Sequence, residues 1–113
     1  MRKRSIKKLD KDFMDMANSF GLLDQKTFVD IIEAYNFQLT LIKNLRSRIE
    51  KEGTSVAIPV GKEGVKMVSN PAVGDLNKAE ILVQKLRAEM DLRIKEASEA
   101  EKRQKEAELI DQL

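Results

Sequence analysis

The Asn70-Pro71 pair is the point where this 113-residue sequence has least freedom. Asn accepts a hydrogen bond from an exposed helix N–H, and Pro has no N–H to lose and already holds a helical φ, so the pair starts a helix. Before it, residues 54–69 read TSVAIPVGKEGVKMVS, with β-branched residues on both sides of Gly-Lys-Glu-Gly. This predicts a β-hairpin with a four-residue connection. Pro59 cannot donate to a ladder, so its strand belongs at an edge. A lone hairpin is marginal in water and needs helices or another subunit to rest on. After the pair, Leu76, Ala79, Val83, Leu86, Met90, Ile94 and Ala97 alternate by three and four, the seam of a helical hairpin or coiled coil.

Two helices are predicted upstream. Ser5 reads as the cap of the first, with Ile6, Leu9, Phe13, Met16 and Phe20 on one stripe and Gly21 as its left-handed stop. Asp24 reads as the cap of the second, running from about Gln25 to Lys51 before Gly53. It carries one stripe at Phe28, Ile32, Tyr35, Leu39, Ile42 and Ile49, and another at Ile31, Ala34, Leu41 and Leu45. So wide an apolar surface demands neighbours on two sides. The first and third helices are expected to leave part of it for other copies of the chain. Phe28, Ile31, Ile32, Tyr35, Leu39, Leu41, Ile42, Leu45, Leu76, Val83, Leu86 and Met90 are therefore the candidate oligomerisation residues.

From about Ser98 the apolar stripe fades into SEAEKRQKEAELIDQL, with i,i+4 pairs such as Glu99 with Arg103 and Glu101 with Lys105. This is a solvated helical extension or a frayed tail, and Leu109, Ile110 and Leu113 form an apolar cluster suited to docking a partner. The fold class expected is mainly α: a short N-terminal helix and two long helices in an antiparallel hairpin, with a small β-hairpin at about 54–69 between them. Residues 1–23 form a basic arm and first helix, 24–97 the oligomerisation core, and 98–113 the charged tail.

Composition narrows the chemistry. Charged residues make up 35% and aromatics 4%, which suits long solvated helices. His and Cys are absent, and with them the commonest general base, the thiol nucleophile and the usual ligands of transition metals. No cofactor is expected. Asp12 and Asp15 share a helix face beside Lys8 and Lys11, as a solvated surface does, and Gly-Lys-Glu-Gly lacks the spacing of a phosphate loop. No apolar run reaches the length of a membrane span, so a soluble intracellular protein without a membrane partner is expected.

Net charge is +2 but uneven: residues 1–51 hold 11 Lys/Arg against 7 Asp/Glu. Three surfaces are candidates for phosphate contact. They are the arm (Arg2, Lys3, Arg4, Lys7, Lys8 and Lys11), the end of the second helix (Lys43, Arg46, Arg48 and Lys51), and the hairpin (Lys62 and Lys66). The arm also reads as a plain solvated terminus, and cations in a helix's last turn favour its dipole without any ligand. No recognition-helix motif precedes Asp24, so specificity would rest on DNA shape or on many contacts.

The run ANSFGLLDQKTFVDIIEAYNFQLTLIKNLRSRIEKEG, the hairpin, and then VSNPAVGDLNKAEILVQKLRAEM resemble the small subunit of tailed-bacteriophage terminases over roughly Asp15 to Leu92. The matching features are the turn Gly21 to Leu23, the long helix holding Tyr35, Gly53, the β segment and Asn70-Pro71. Members of that family often continue with Gly-Leu-Thr-Pro and an Arg, where this chain has MDLRIKEASEAEKRQ. The resemblance implies a non-catalytic packaging factor in the host cytoplasm. Such a factor forms a homo-oligomeric ring, binds double-stranded viral DNA and delivers it to the large terminase subunit, an ATPase and nuclease. By the same analogy the tail would meet the large subunit. Composition alone also fits a helical assembly or adaptor protein, scaffold-like or chaperone-like, without DNA recognition.

Overall fold

A computed structural model describes residues 8–62 and 64–112 of the chain. Its order is α1 (Lys11–Ser19), α2 (Lys26–Glu52), β1 (Ser55–Val60), β2 (Gly64–Ser69) and α3 (Pro71–Asp111). The protein is mainly helical, with one small antiparallel hairpin between the second and third helices. The described residues span 87 × 28 × 22 Å with a radius of gyration of 21.7 Å. A compact chain of this length would measure about 13 Å. The excess comes from α3, whose 41 residues form a rod of about 60 Å.

Local chemistry sets most boundaries. The Asn70 side chain accepts from Ala72 N–H at 3.1 Å and Pro71 opens α3, as the sequence predicts. Gly53 ends α2 with its N–H on the Ile49 carbonyl at 2.7 Å, and Gly21 takes the left-handed conformation after α1. Two caps differ from expectation. Ser5 lies outside the described residues, but residues 8–10 are not helical, so no continuous helix runs from Ser5 into α1. Asp10 caps α1 instead, its Oδ1 accepting from Phe13 N–H at 2.8 Å, and Leu9 packs on the core from ahead of the helix. Asp24 lies in a short 3-10 turn, Leu22–Asp24, and Gln25 holds the N-cap of α2 with no side-chain bond.

One core runs along the rod. Phe28, Ile32, Tyr35 and Ile42 of α2 meet Ala79, Val83, Met90 and Ile94 of α3, and Phe13 and Ala17 of α1 close it at one side with Leu22. Arg46 Nη2 reaches Glu80 Oε1 at 3.1 Å, and Arg93 Nη1 donates to Thr27 Oγ1 at 3.2 Å, so α2 and α3 run in opposite directions. The Arg87 guanidinium lies 4.3 Å from the Phe13 ring centroid and seals the seam where α1 crosses α3.

The hairpin behaves differently. Ser55 pairs with Ser69 and Val60 with Gly64, which leaves a three-residue connection rather than the expected four. Ile58, Val60, Val65 and Met67 are all exposed, and neither strand packs extensively on a helix. Pro59 and Met67 lie on one face and Ile58 and Lys66 on the other, so both faces carry apolar groups into solvent. Among the described residues, no helix is long and apolar enough to cross a membrane.

Candidate nucleic-acid interface

Lys8 precedes the Asp10 cap, and the first residues of the described chain pass alongside the middle of α2. That placement gathers Lys8, Lys43 and Arg46 around one open groove of about 410 Å³, floored by Leu39 and Ile42 and edged by Ser47 and Glu50. One cation of the arm, Lys8, thus joins two of the cluster toward the end of α2. Arg46 lends part of its charge to Glu80, whereas no ion pair engages Lys8 or Lys43 among the described residues.

The other candidate cations lie elsewhere. Arg48 holds Glu52 through Nε at 2.7 and 3.2 Å, an i,i+4 pair in the last turn of α2 that limits its use to a phosphate. Lys51 is exposed in that same turn and does not line the groove. Lys11 is exposed on the first residue of α1. Lys62 occupies the hairpin turn, and Lys66 pairs across from Ile58, both exposed on the projecting strands. Arg2, Lys3, Arg4 and Lys7 lie outside the described residues.

The candidate oligomerisation residues are placed in the chain's own core. Phe28, Ile32, Tyr35, Ile42, Leu45, Val83 and Met90 are buried, and Ile31, Leu39, Leu41, Leu76 and Leu86 are half-buried against them. The first face of α2 therefore finds most of its cover in α1 and α3. Burial pushes the Tyr35 phenol above its ordinary pKa, while Arg87 beside it pulls the other way. Leu109 and Ile110 are 62% and 67% exposed at the free end of α3, as a docking motif requires, and Leu113 is outside the described residues.

Met16, read as part of the stripe of α1, is 49% exposed, and other apolar groups that reach solvent from α2 and α3 were missed by reading stripes. Phe37 on α2 is 66% exposed, and Ile81, Leu82 and Leu92 on α3 are exposed as well. A signal existed for Phe37: it lies three residues after Ala34 and four before Leu41, on the second stripe of α2. Below it, Leu41, Leu45, Ala79 and Leu82 line a second groove of about 290 Å³, with Gln38, Asp75 and Lys78 at its rim.

Comparison with models of known families, with curated proteins and with solved structures returned no match.

Proposed function

We propose that this chain is a non-catalytic DNA-packaging factor, a self-assembling protein that holds double-stranded viral DNA and passes it to a terminase large subunit. The observation that carries the reading is the groove in which Lys8 joins Lys43 and Arg46. Two ammonium groups that make no ion pair among the described residues, beside a guanidinium, suit sequence-tolerant contact with phosphates, and Arg2, Lys3, Arg4 and Lys7 precede Lys8 in the sequence. Each contact is weak alone and releases counterions, so several copies on one DNA multiply affinity and steepen its salt dependence.

The assembly part of the reading is supported by the hairpin. Both of its faces are apolar and exposed, both strands have an open edge, and its own helices leave it uncovered. A two-stranded hairpin in that condition is stabilised by strands or apolar surface from another copy. Closure of such copies into a ring, with α2 and α3 as the antiparallel helical hairpin of its wall, is the arrangement that the terminase resemblance implies. The host cytoplasm is where it would act.

The test is DNA binding by the double variant Lys8→Glu, Lys43→Glu, measured by fluorescence anisotropy across a salt series. Both positions are exposed, so the fold should survive. The expected result is weaker binding and a salt slope shallower by about 1 for each contact removed. Unchanged affinity and slope would remove DNA from the proposal. The reading left would be a helical adaptor, which the pairing of Arg46 with Glu80 and Arg48 with Glu52 favours, since those pairs already neutralise part of the cationic surface.

A further inference from the structure

One exposed face of α2 is patterned in charge as well as in hydropathy. Asp30 and Glu33 come first, then Ala34 and Phe37, then Leu41 and Leu45, then Arg48. All lie three or four residues apart on neighbouring rows. The α3 side of this face adds Ala79 and Leu82 to the apolar middle and Lys78 at the rim beside Leu45. The face thus carries Asp30 and Glu33 toward one end, apolar side chains in the middle with a protruding aromatic ring next to a groove, and Lys78 and Arg48 toward the other. Asp75 and Glu52 stand beside those two cations, and Glu52 is already paired with Arg48.

A surface of that kind complements itself when turned end for end. We infer that this face is a two-fold docking surface for a second copy of the same chain, with α2 of one copy lying antiparallel to α2 of the other. An axis crossing level with Leu39 puts Phe37 opposite the partner copy's Leu41, in the mouth of the apolar groove. The same axis puts Glu33 opposite the level of Leu45, where Lys78 stands, and Asp30 opposite Arg48. One operation places the ring on the groove and Glu33 toward Lys78 together, which is what an isologous contact requires. A parallel arrangement would instead bring acid against acid. Within one chain Glu33 and Lys78 form no ion pair, and Arg46 with Glu80 and Thr27 with Arg93 show that residues at their two levels face different parts of the opposing helix.

The inferred contact leaves the hairpin and the Lys8 groove open. It adds to the assembly reading and does not depend on DNA binding.

The experiment is sedimentation velocity and native mass spectrometry over a concentration series, for the full chain and four variants. Phe37→Asp, Glu33→Lys and Lys78→Glu each alter one exposed residue, and helix content by circular dichroism shows that each remains folded. All three should weaken self-association about tenfold or more, the scale of losing an anchor or reversing a charge in a small interface. Glu33→Lys with Lys78→Glu in the same chain should restore it, because each reversed residue then meets its complement on the partner copy. A chain that stays monomeric throughout the series, self-association untouched by Phe37→Asp, or a double reversal no better than either single one would overturn the inference. The Lys8 and Lys43 test of DNA contact reads a different surface, so either proposal can fail without the other.

Discussion

Asn70 Nδ2 donates to the carbonyl of Gly53 at 2.9 Å, across the base of the hairpin. The same residue caps α3 through Oδ1 on Ala72 N–H, and its backbone N–H donates to the Thr54 carbonyl at 2.9 Å. One residue, 1% exposed, therefore fixes the end of α2, the start of α3 and the root of the hairpin, the first two through its side chain. Asn70→Ala removes the cap and leaves the Gly53 carbonyl without its donor. The expected loss is about 1–3 kcal/mol in urea unfolding. Asn70→Asp keeps the acceptor at the helix terminus but not the donor, so its loss should be smaller. Equal stability of both variants and the parent would show the knot to be unimportant.

Gly53 and Gly74 should respond in opposite directions to the same substitution. Gly53 has φ 83° and ψ 175°, a region costly for any residue with a Cβ, and Gly53→Ala should cost about 1–3 kcal/mol. Gly74 lies in the first turn of α3, and a Cβ there meets nothing within 4 Å. Gly74→Ala should stabilise by up to about 1 kcal/mol through helix propensity and a less flexible unfolded chain. Thermal unfolding of the two variants, measured side by side, checks both signs.

These two junctions explain why so much of the fold could be read in the sequence. Asn-Pro and the glycines act through their own backbone, within a few residues, and such signals survive without knowledge of tertiary structure. Ser5 and Asp10 show the boundary of that logic. Both are good caps, and the spacing of Ile6, Leu9 and Phe13 favoured the earlier one, but Leu9 reaches the core equally well from an extended segment. The tail gave a similar half-answer: Glu101 pairs with Lys105 at 3.1 Å as spaced, whereas Arg103 turns to the Glu99 backbone carbonyl. The cationic groove could not be read at all, because Lys8 meets Lys43 only once α1 has folded back along α2. Phe37 was legible in spacing but not in exposure, since which stripe of α2 faces the third helix is decided by packing.

Tyr35 offers a pH test. Its phenol is buried and its pKa is raised above the ordinary value of 10.0. The folded state therefore holds the neutral form while the unfolded chain ionises, so the contribution is fully present below about pH 10 and is lost as pH rises through the folded value. Stability of the parent should fall in that alkaline window. Tyr35→Phe should fall less steeply, and lysine titration, common to both proteins, cancels in the comparison. Tyr35 is the sole tyrosine in a chain without tryptophan, so phenolate absorbance reports it directly. A phenol that titrates at or below its free value in the folded protein would contradict this account.

The last stretch of α3 should be dispensable for folding and needed only for encounter. Every described residue from Glu99 to Gln112 is exposed, the buried positions of α3 stop at Ile94, and Ala97 is the last to pack on the core. Ending the chain after Ser98 removes helix without removing any core contact. Unfolding free energy should therefore change by no more than about 0.5 kcal/mol, although the helical signal shrinks. A larger loss would mean that the segment packs on something, and concentration dependence of that loss would identify another copy as its partner. In the proposed packaging role, Leu109 and Ile110 are the natural contacts for the large subunit: two large apolar side chains held in water at the tip of a rigid rod, among Glu106, Glu108 and Asp111. Replacing both with Ser should leave self-association and DNA binding as they are and abolish stimulation of the ATPase, whereas full stimulation by that variant would move the contact to another surface.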